Sequence, residues 1–129
     1  IWTHVTADIK LIQNNSWLAE TPNHEEFRRV FGTTPPDEDH IIQSYKQFVA
    51  GIRKHYPQAR IICILGNMEI TADGSKWPGY VQQAVDELGD ENMYTHFIPY
   101  KQTGGHPRVN EQEMLAGSLI QFIETHIDW

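Results

Sequence analysis

Four things are scarce in this sequence of 129 residues. Cysteine occurs once, as Cys63, which excludes an internal disulfide framework and an all-cysteine metal site. Positive charge is outnumbered, since 10 Lys and Arg stand against 17 Asp and Glu and leave a formal net charge of -7. That balance repels nucleic-acid phosphates and anionic membrane surfaces, so neither nucleic acid nor membrane is an expected partner. Long apolar runs are missing, and none approaches the roughly 18 residues of a membrane span. Internal repeats and low-complexity tracts are missing too.

What is present suits a packed domain. A composition 40% hydrophobic and 11% aromatic supports an ordinary core and excludes disorder. A chain of this length is expected to form one domain over residues 1–129 and to bury about two thirds of its unfolded surface. The sequence opens Ile1-Trp2-Thr3-His4, with no initiator Met and no basic-then-apolar leader pattern. The expectation is a mature or cut terminus, and a sequence that is part of a longer protein.

The patterning alternates strands and helices. Ile9 to Gln13 is a short run rich in β-branched residues that ends in Asn14-Asn15-Ser16, which reads as strand then loop. A long connection follows, with Pro22, Gly32 and Pro35-Pro36, and long ordered loops are often functional. Asp37 to His55 reads as a helix, with Ile41, Tyr45, Phe48, Val49 and Ile52 on one apolar face. Acidic residues open it, Arg53-Lys54-His55 close it, and Pro57 stops it. Arg60 to Leu65 is a near-continuous apolar run, expected as a parallel strand covered on both faces and closed by Gly66-Asn67. Ser75 is the expected N-cap of a helix with Trp77-Pro78 in its first turn, running to about Leu88. Tyr94 to Ile98 reads as a third strand. A last helix is expected over about Asn110 to Ile127, its face formed by Met114 or Leu115, then Leu119, Phe122 and Ile123. This order is the α/β signature, with parallel strands joined by right-handed crossovers. Three strands are few for such a sheet, so its open edge calls for cover.

In open parallel sheets, ligands bind outside the carboxyl ends of the strands. Three loops leave those ends: Asn14 to Trp17, Gly66 to Glu69, and Pro99 to His106. They bring amides, a carboxylate, Trp17, Trp77 at the next helix start, and His106. An imidazole there suits a general base, because its ordinary pKa lies near neutrality. A loop Asn can donate its amide to an oxyanion, which is worth about 2.7–4 kcal/mol in a transition state. Structural roles compete for each of these residues. A polar loop Asn or His often only completes a turn, and Trp17 and Trp77 suit core packing as well as stacking on a sugar ring. Ser16 fits a loop turn, Cys63 an inert core thiol, and Asp73-Gly74 a turn, although Glu69 and Asp73 lie on an active-end loop. A His96–His106 metal pair lacks a third ligand, and the expectation is no metal.

The motif Gly105-His106-Pro107-Arg108-Val109 ahead of the final helix, with the order of elements, resembles the C-terminal part of an SGNH (GDSL-type) hydrolase. Within that class the chain is most similar to the carbohydrate esterase family 2 acetyl esterases. The resemblance spans essentially the whole chain, and Tyr94 to Tyr100 resembles the strand and loop leading to the family's catalytic His. It implies a three-layer α/β/α flavodoxin-like fold, here its C-terminal half with about three parallel strands. It also implies His106 as the catalytic His of the family's His-Pro motif. The family's Gly-x-Asn-Asp block maps onto Gln13-Asn14-Asn15-Ser16 and retains only the Asn, so Asn15 is the implied oxyanion residue.

Two departures qualify the likeness. The family's Gly-Asp-Ser nucleophile block and its oxyanion Gly are absent, and Ser16, Ser44, Ser75 and Ser118 lie in other contexts. The triad Asp, usually two or three residues before the His, is replaced by Gly104 and Thr103. A Ser-His dyad remains sufficient, since the third group mainly fixes tautomer and orientation. The resulting expectation is a serine esterase that removes acetyl groups from carbohydrate esters, with Trp17 and Trp77 against the sugar. Its nucleophile would lie on an upstream segment, and this chain alone would be inactive. An N-terminal half or a second protomer would cover the sheet edge, no cofactor is implied, and a carbohydrate esterase would be secreted or periplasmic. The competing readings are a non-catalytic glycan-binding or interaction half-domain, and an SGNH enzyme acting on another acyl ester.

Overall fold

The computed structural model describes residue 29 and residues 36–127. The chain divides into two compact units, Ile1–His40 and Ile41–Trp129, and the second holds the strands described here. Helix α1 spans Glu38–His55, with Glu38 and Asp39 in its first turn and Arg53, Lys54 and His55 in its last, as the helix dipole favours. Asp37 caps it by accepting the His40 backbone N–H through Oδ1 at 2.8 Å. Strand β1 is Ile61–Leu65 and strand β2 is Met93–Phe97. Helix α2, Trp77–Leu88, links them, and helix α3, Val109–His126, closes the order. A 3-10 turn, Glu69–Thr71, follows β1. The expected strand at Ile9 to Gln13 lies outside the described residues.

The strands pair in parallel, with Ile61 opposite Met93 and Leu65 opposite Phe97. Helices lie on both faces of this small sheet. On one face the α1 phenol of Tyr45 is hydrogen-bonded to the Cys63 thiol. On the same face the Thr95 hydroxyl donates to Oε1 of Gln82 on α2 at 2.7 Å. On the other face Phe122 of α3 meets Tyr94 edge-on, with centroids 6.4 Å apart, and His96 at 4.5 Å. The α/β class and layering expected from the sequence are therefore present in these residues. The core runs through Val49, Cys63, Leu65, Ile70, Val81, Ala84, Val85 and Met93, all buried. Each large apolar side chain among them contributes about 1.5–3 kcal/mol. Burial pushes the Cys63 thiol pKa up, in keeping with an inert core thiol.

Two expectations need correction, and one choice between alternatives is decided. On α1 the buried stripe is Ile42, Tyr45 and Val49, whereas Phe48 is 55% exposed. A rotation of about 100° per residue puts Phe48 roughly 90° from the centre of that stripe. On α3 the choice left open between Met114 and Leu115 falls to Leu115: Met114 is 73% exposed, and Leu115, Leu119, Phe122 and Ile123 form the half-buried face. Among the described residues strand β1 is not covered equally on both faces: Ile64 is exposed while Cys63 and Leu65 are buried. Helix α3 leaves β2 and packs over that strand's Tyr94 and His96, which leaves Ile64 on the neighbouring strand less covered.

Candidate active site

The site is built from the chain leaving the two strands. After β1, Gly66 and Met68 are tied back by Thr71, whose hydroxyl donates to the Gly66 carbonyl at 2.9 Å and the Met68 carbonyl at 3.2 Å. Ser75 donates its hydroxyl to the Ile70 carbonyl at 2.6 Å and accepts the Trp77 N–H at 3.4 Å, but the N-cap of α2 is Lys76 and not, as expected, Ser75, which stands one residue earlier. After β2, Ile98 donates its N–H to the Leu65 carbonyl at 2.9 Å, which extends the strand pairing by one step. Lys101 then donates its N–H to the Asn67 carbonyl at 2.9 Å and fastens the second loop to the first.

The second loop carries His106. The imidazole is exposed, and its ring has no hydrogen-bond partner among the described residues. Gly105, directly before it, has φ 75°, a left-handed conformation in which any side chain would be strained even though the space around it is open. Gln102 adopts φ 59°, which is uncommon for a residue with a side chain and is the kind of strain that collects at functional loops.

The loop is held by one carboxylate. Glu111, in the first turn of α3, is only 8% exposed. Its Oε2 accepts the Arg108 N–H at 2.7 Å, and its Oε1 accepts a short hydrogen bond from the Thr103 hydroxyl. Lys101 Nζ donates to the Thr103 carbonyl at 2.5 Å and to its hydroxyl oxygen at 2.8 Å. The Arg108 amide above all, then the Thr103 hydroxyl and the Lys101 and Arg108 charges, hold the Glu111 carboxyl below the usual carboxylate range. Asn67 completes the cluster: it is 4% exposed, and Nδ2 donates to the Glu111 carbonyl at 3.4 Å. Its Oδ1 is buried without a hydrogen-bond partner, the one such side-chain atom among the described residues.

Of the residues singled out from sequence, His106 lies where expected, between the end of a parallel strand and the opening of the last helix. Asn15, Trp17 and Ser16 lie outside the described residues. Of the two roles open to Trp77, packing and stacking on a sugar, its burial favours packing: it is 9% exposed and meets Tyr80 edge-on at 5.9 Å. Among the described residues His96 has no ligand set beside it; it packs on Phe122, and its Nε2 lies 3.1 Å from the Ser118 hydroxyl under α3. Burial, then the neighbouring His126, lowers the His96 pKa. Among the described residues no group of three His, Cys, Asp or Glu side chains could hold a metal ion, and no helix is long and apolar enough to cross a membrane. Two shallow surface grooves, one along Phe48 and Tyr56 and one along Val109, Gln112 and Ala116, include neither His106 nor Asn67.

Sequence reasoning missed Glu111. A capping-box search looks for Ser or Thr three residues ahead of a Glu, and Arg108 stands at that position. The reciprocal half of the motif, a Glu side chain bonded back to the N-cap amide, is nevertheless formed.

No family model matches the chain. The chain is similar to the cellulase/esterase CelE of Acetivibrio thermocellus, 26% identical over 110 residues. That match takes in 77% of this chain and 13% of CelE. It is also similar to the solved structure of an active-site mutant of a family 2 carbohydrate esterase from Clostridium thermocellum in complex with cellohexaose. There the TM-score is 0.64 at 26% identity, over 79% of this chain and 34% of that one. The chain thus spans about an eighth of one relative and a third of the other. Both comparisons support the SGNH-type, family 2 carbohydrate-esterase relationship and the α/β fold that the His-Pro motif suggested. The relatives are esterases connected with carbohydrates.

Proposed function

We propose that this chain is the His-bearing C-terminal part of a carbohydrate acetyl esterase. A serine on an upstream segment would attack the acetyl carbonyl while His106 takes the hydroxyl proton at a ring nitrogen. The imidazolium would then return that proton to the sugar oxygen as the C–O bond breaks, and a water would repeat the cycle to release acetate. Asn15 would donate its amide to the tetrahedral oxyanion, and Trp17 would stack on the sugar. The observation that carries this reading is the exposed His106 on the turn between a parallel strand and the last helix, in a chain similar to carbohydrate esterases.

The test is ester hydrolysis by the full protein that contains this chain, with 4-nitrophenyl acetate and an acetylated oligosaccharide as substrates. Replacing His106 by Ala should lower kcat about 10²–10⁴-fold, the usual range for a positioned general base. The 129-residue chain by itself should show no turnover. Unchanged hydrolysis after His106→Ala would remove the esterase reading and bring the glycan-binding half-domain forward.

A further inference from the structure

We propose that Glu111 is the positioning residue of this site: its carboxylate closes the turn that presents His106, an assignment that rests on the esterase reading above. Both oxygens are engaged, one on each side of the imidazole in the chain. Oε1 holds the Thr103 hydroxyl, three residues before His106, and Oε2 holds the Arg108 N–H, two residues after it. Six residues, 103 to 108, are therefore gathered onto one carboxylate. Within that span neither Thr103 nor Gly104 supplies a charge, and the imidazole has no side-chain partner of its own among the described residues. Its place depends on the backbone that carries it.

The clamp is anchored on both sides. Glu111 sits on α3, and its carbonyl accepts from Asn67, in the loop after β1. Lys101 binds Thr103 from within the loop and donates its backbone N–H to Asn67. The circuit Glu111–Thr103–Lys101–Asn67–Glu111 thus joins the ends of both strands to the last helix. Such a closed circuit matters because Gln102, directly before the gathered turn, is held in a left-handed conformation uncommon for a residue with a side chain, Gly105 adds a flexible position beside His106, and the turn lies on the surface. Without it, the loop would relax toward commoner backbone conformations and carry His106 with it. A displacement of about 1 Å at a reacting group can cost a hundredfold in rate. The groups that surround the carboxylate are Lys101 and Arg108, both cationic, with Thr103 and Asn67 neutral.

The experiment compares Glu111→Gln, Thr103→Val and His106→Ala in the full protein, by steady-state kinetics on 4-nitrophenyl acetate and by NMR of the 103–108 amides. Glu111→Gln should lower kcat about 10–100-fold with KM within about twofold, and should reduce the order of the 103–108 amides. Thr103→Val, which removes one of the two bonds and is the milder change, should give a smaller loss of the same kind. In the parent protein the Arg108 amide shift should titrate below the ordinary Glu midpoint of about 4.3, and Glu111→Gln should abolish that titration. If His106→Ala stops turnover while Glu111→Gln leaves kcat and the order of the turn unchanged, the positioning role is wrong and the esterase reading stands. If His106→Ala leaves turnover intact, there is no catalytic group to position and both fall together.

Discussion

The two ends of the small sheet are held by opposite kinds of group. At the amino end a cation does the work. Arg53, from the last turn of α1, pairs with Asp90 at 2.6 Å and donates to the Ala59 carbonyl at 2.6 Å and the Tyr56 carbonyl at 3.0 Å. It also reaches the Pro57 carbonyl at 3.3 Å and that of Asn92 at 3.4 Å. The guanidinium thereby gathers the chain entering β1 and the chain entering β2 at one point, and no catalytic candidate among the described residues lies there. At the carboxyl end an anion, Glu111, gathers the loop leaving β2, but here an exposed imidazole, two left-handed residues and an orphaned Asn67 oxygen remain. One end is built to satisfy its polar groups, the other to present one. Departures from local satisfaction collect at sites that do chemistry, and that is the pattern across this sheet.

The largest effect that would sharpen this contrast is on stability at the amino end. Arg53→Ala removes a charged donor from several carbonyls at once and leaves Asp90 without its cation. Hydrogen bonds to charged groups are worth about 1.5–3 kcal/mol, so a loss of roughly 2–3 kcal/mol in denaturant unfolding is expected, with ester turnover per folded molecule unchanged. A loss under half a kcal/mol would show that the guanidinium is not what holds this end together. A smaller effect concerns acid. Arg53, then the Asn92 amide, lowers the Asp90 pKa beneath its ordinary 3.8. A carboxylate with a depressed folded pKa contributes stability that is fully present above 3.8 and is lost as pH falls through the lower folded value. Asp90→Asn should therefore flatten the decline of stability below about pH 4, and by no more than about 1 kcal/mol because the pair is partly exposed. An unaltered acid limb would assign that decline to other carboxylates.

The contrast also separates what could be read in the sequence from what could not. Pro57, Gly66 and Trp77-Pro78 punctuate the chain strongly, so α1, β1, α2, β2 and α3 fall within one residue of the expected bounds. The His-Pro turn was legible because it combines a titratable residue, a proline and a helix start. Burial was less so. Phe48 and Met114 are apolar residues at the margin of their helical stripes, and periodicity alone cannot tell a margin from a centre. For Trp77 the sequence leaves packing and stacking on a sugar equally open, and only the fold, which turns it against Tyr80 in the first turn of α2, favours packing. Glu111 escaped because its partners, Thr103 and Arg108, become visible only when the loop is closed. A carboxylate in a helix's first turn ordinarily reads as dipole compensation.

The smallest expected effect is the one most able to break the contrast. If the carboxyl end presents His106 rather than relying on it, His106→Ala should leave thermal and denaturant stability nearly unchanged. The side chain is exposed, has no hydrogen-bond partner among the described residues and covers none of the buried core, and surface substitutions of that kind usually stay within about 0.5 kcal/mol. Held beside Arg53→Ala, the pair forms a double dissociation. One variant loses stability and keeps turnover per folded molecule; the other keeps stability and loses turnover. The measurement is urea unfolding of both variants under identical conditions, with kcat determined on the same preparations. A His106→Ala protein that unfolds as readily as Arg53→Ala would mean that the imidazole is a structural part of its loop. The two ends of the sheet would then differ only in the sign of the charge that holds them.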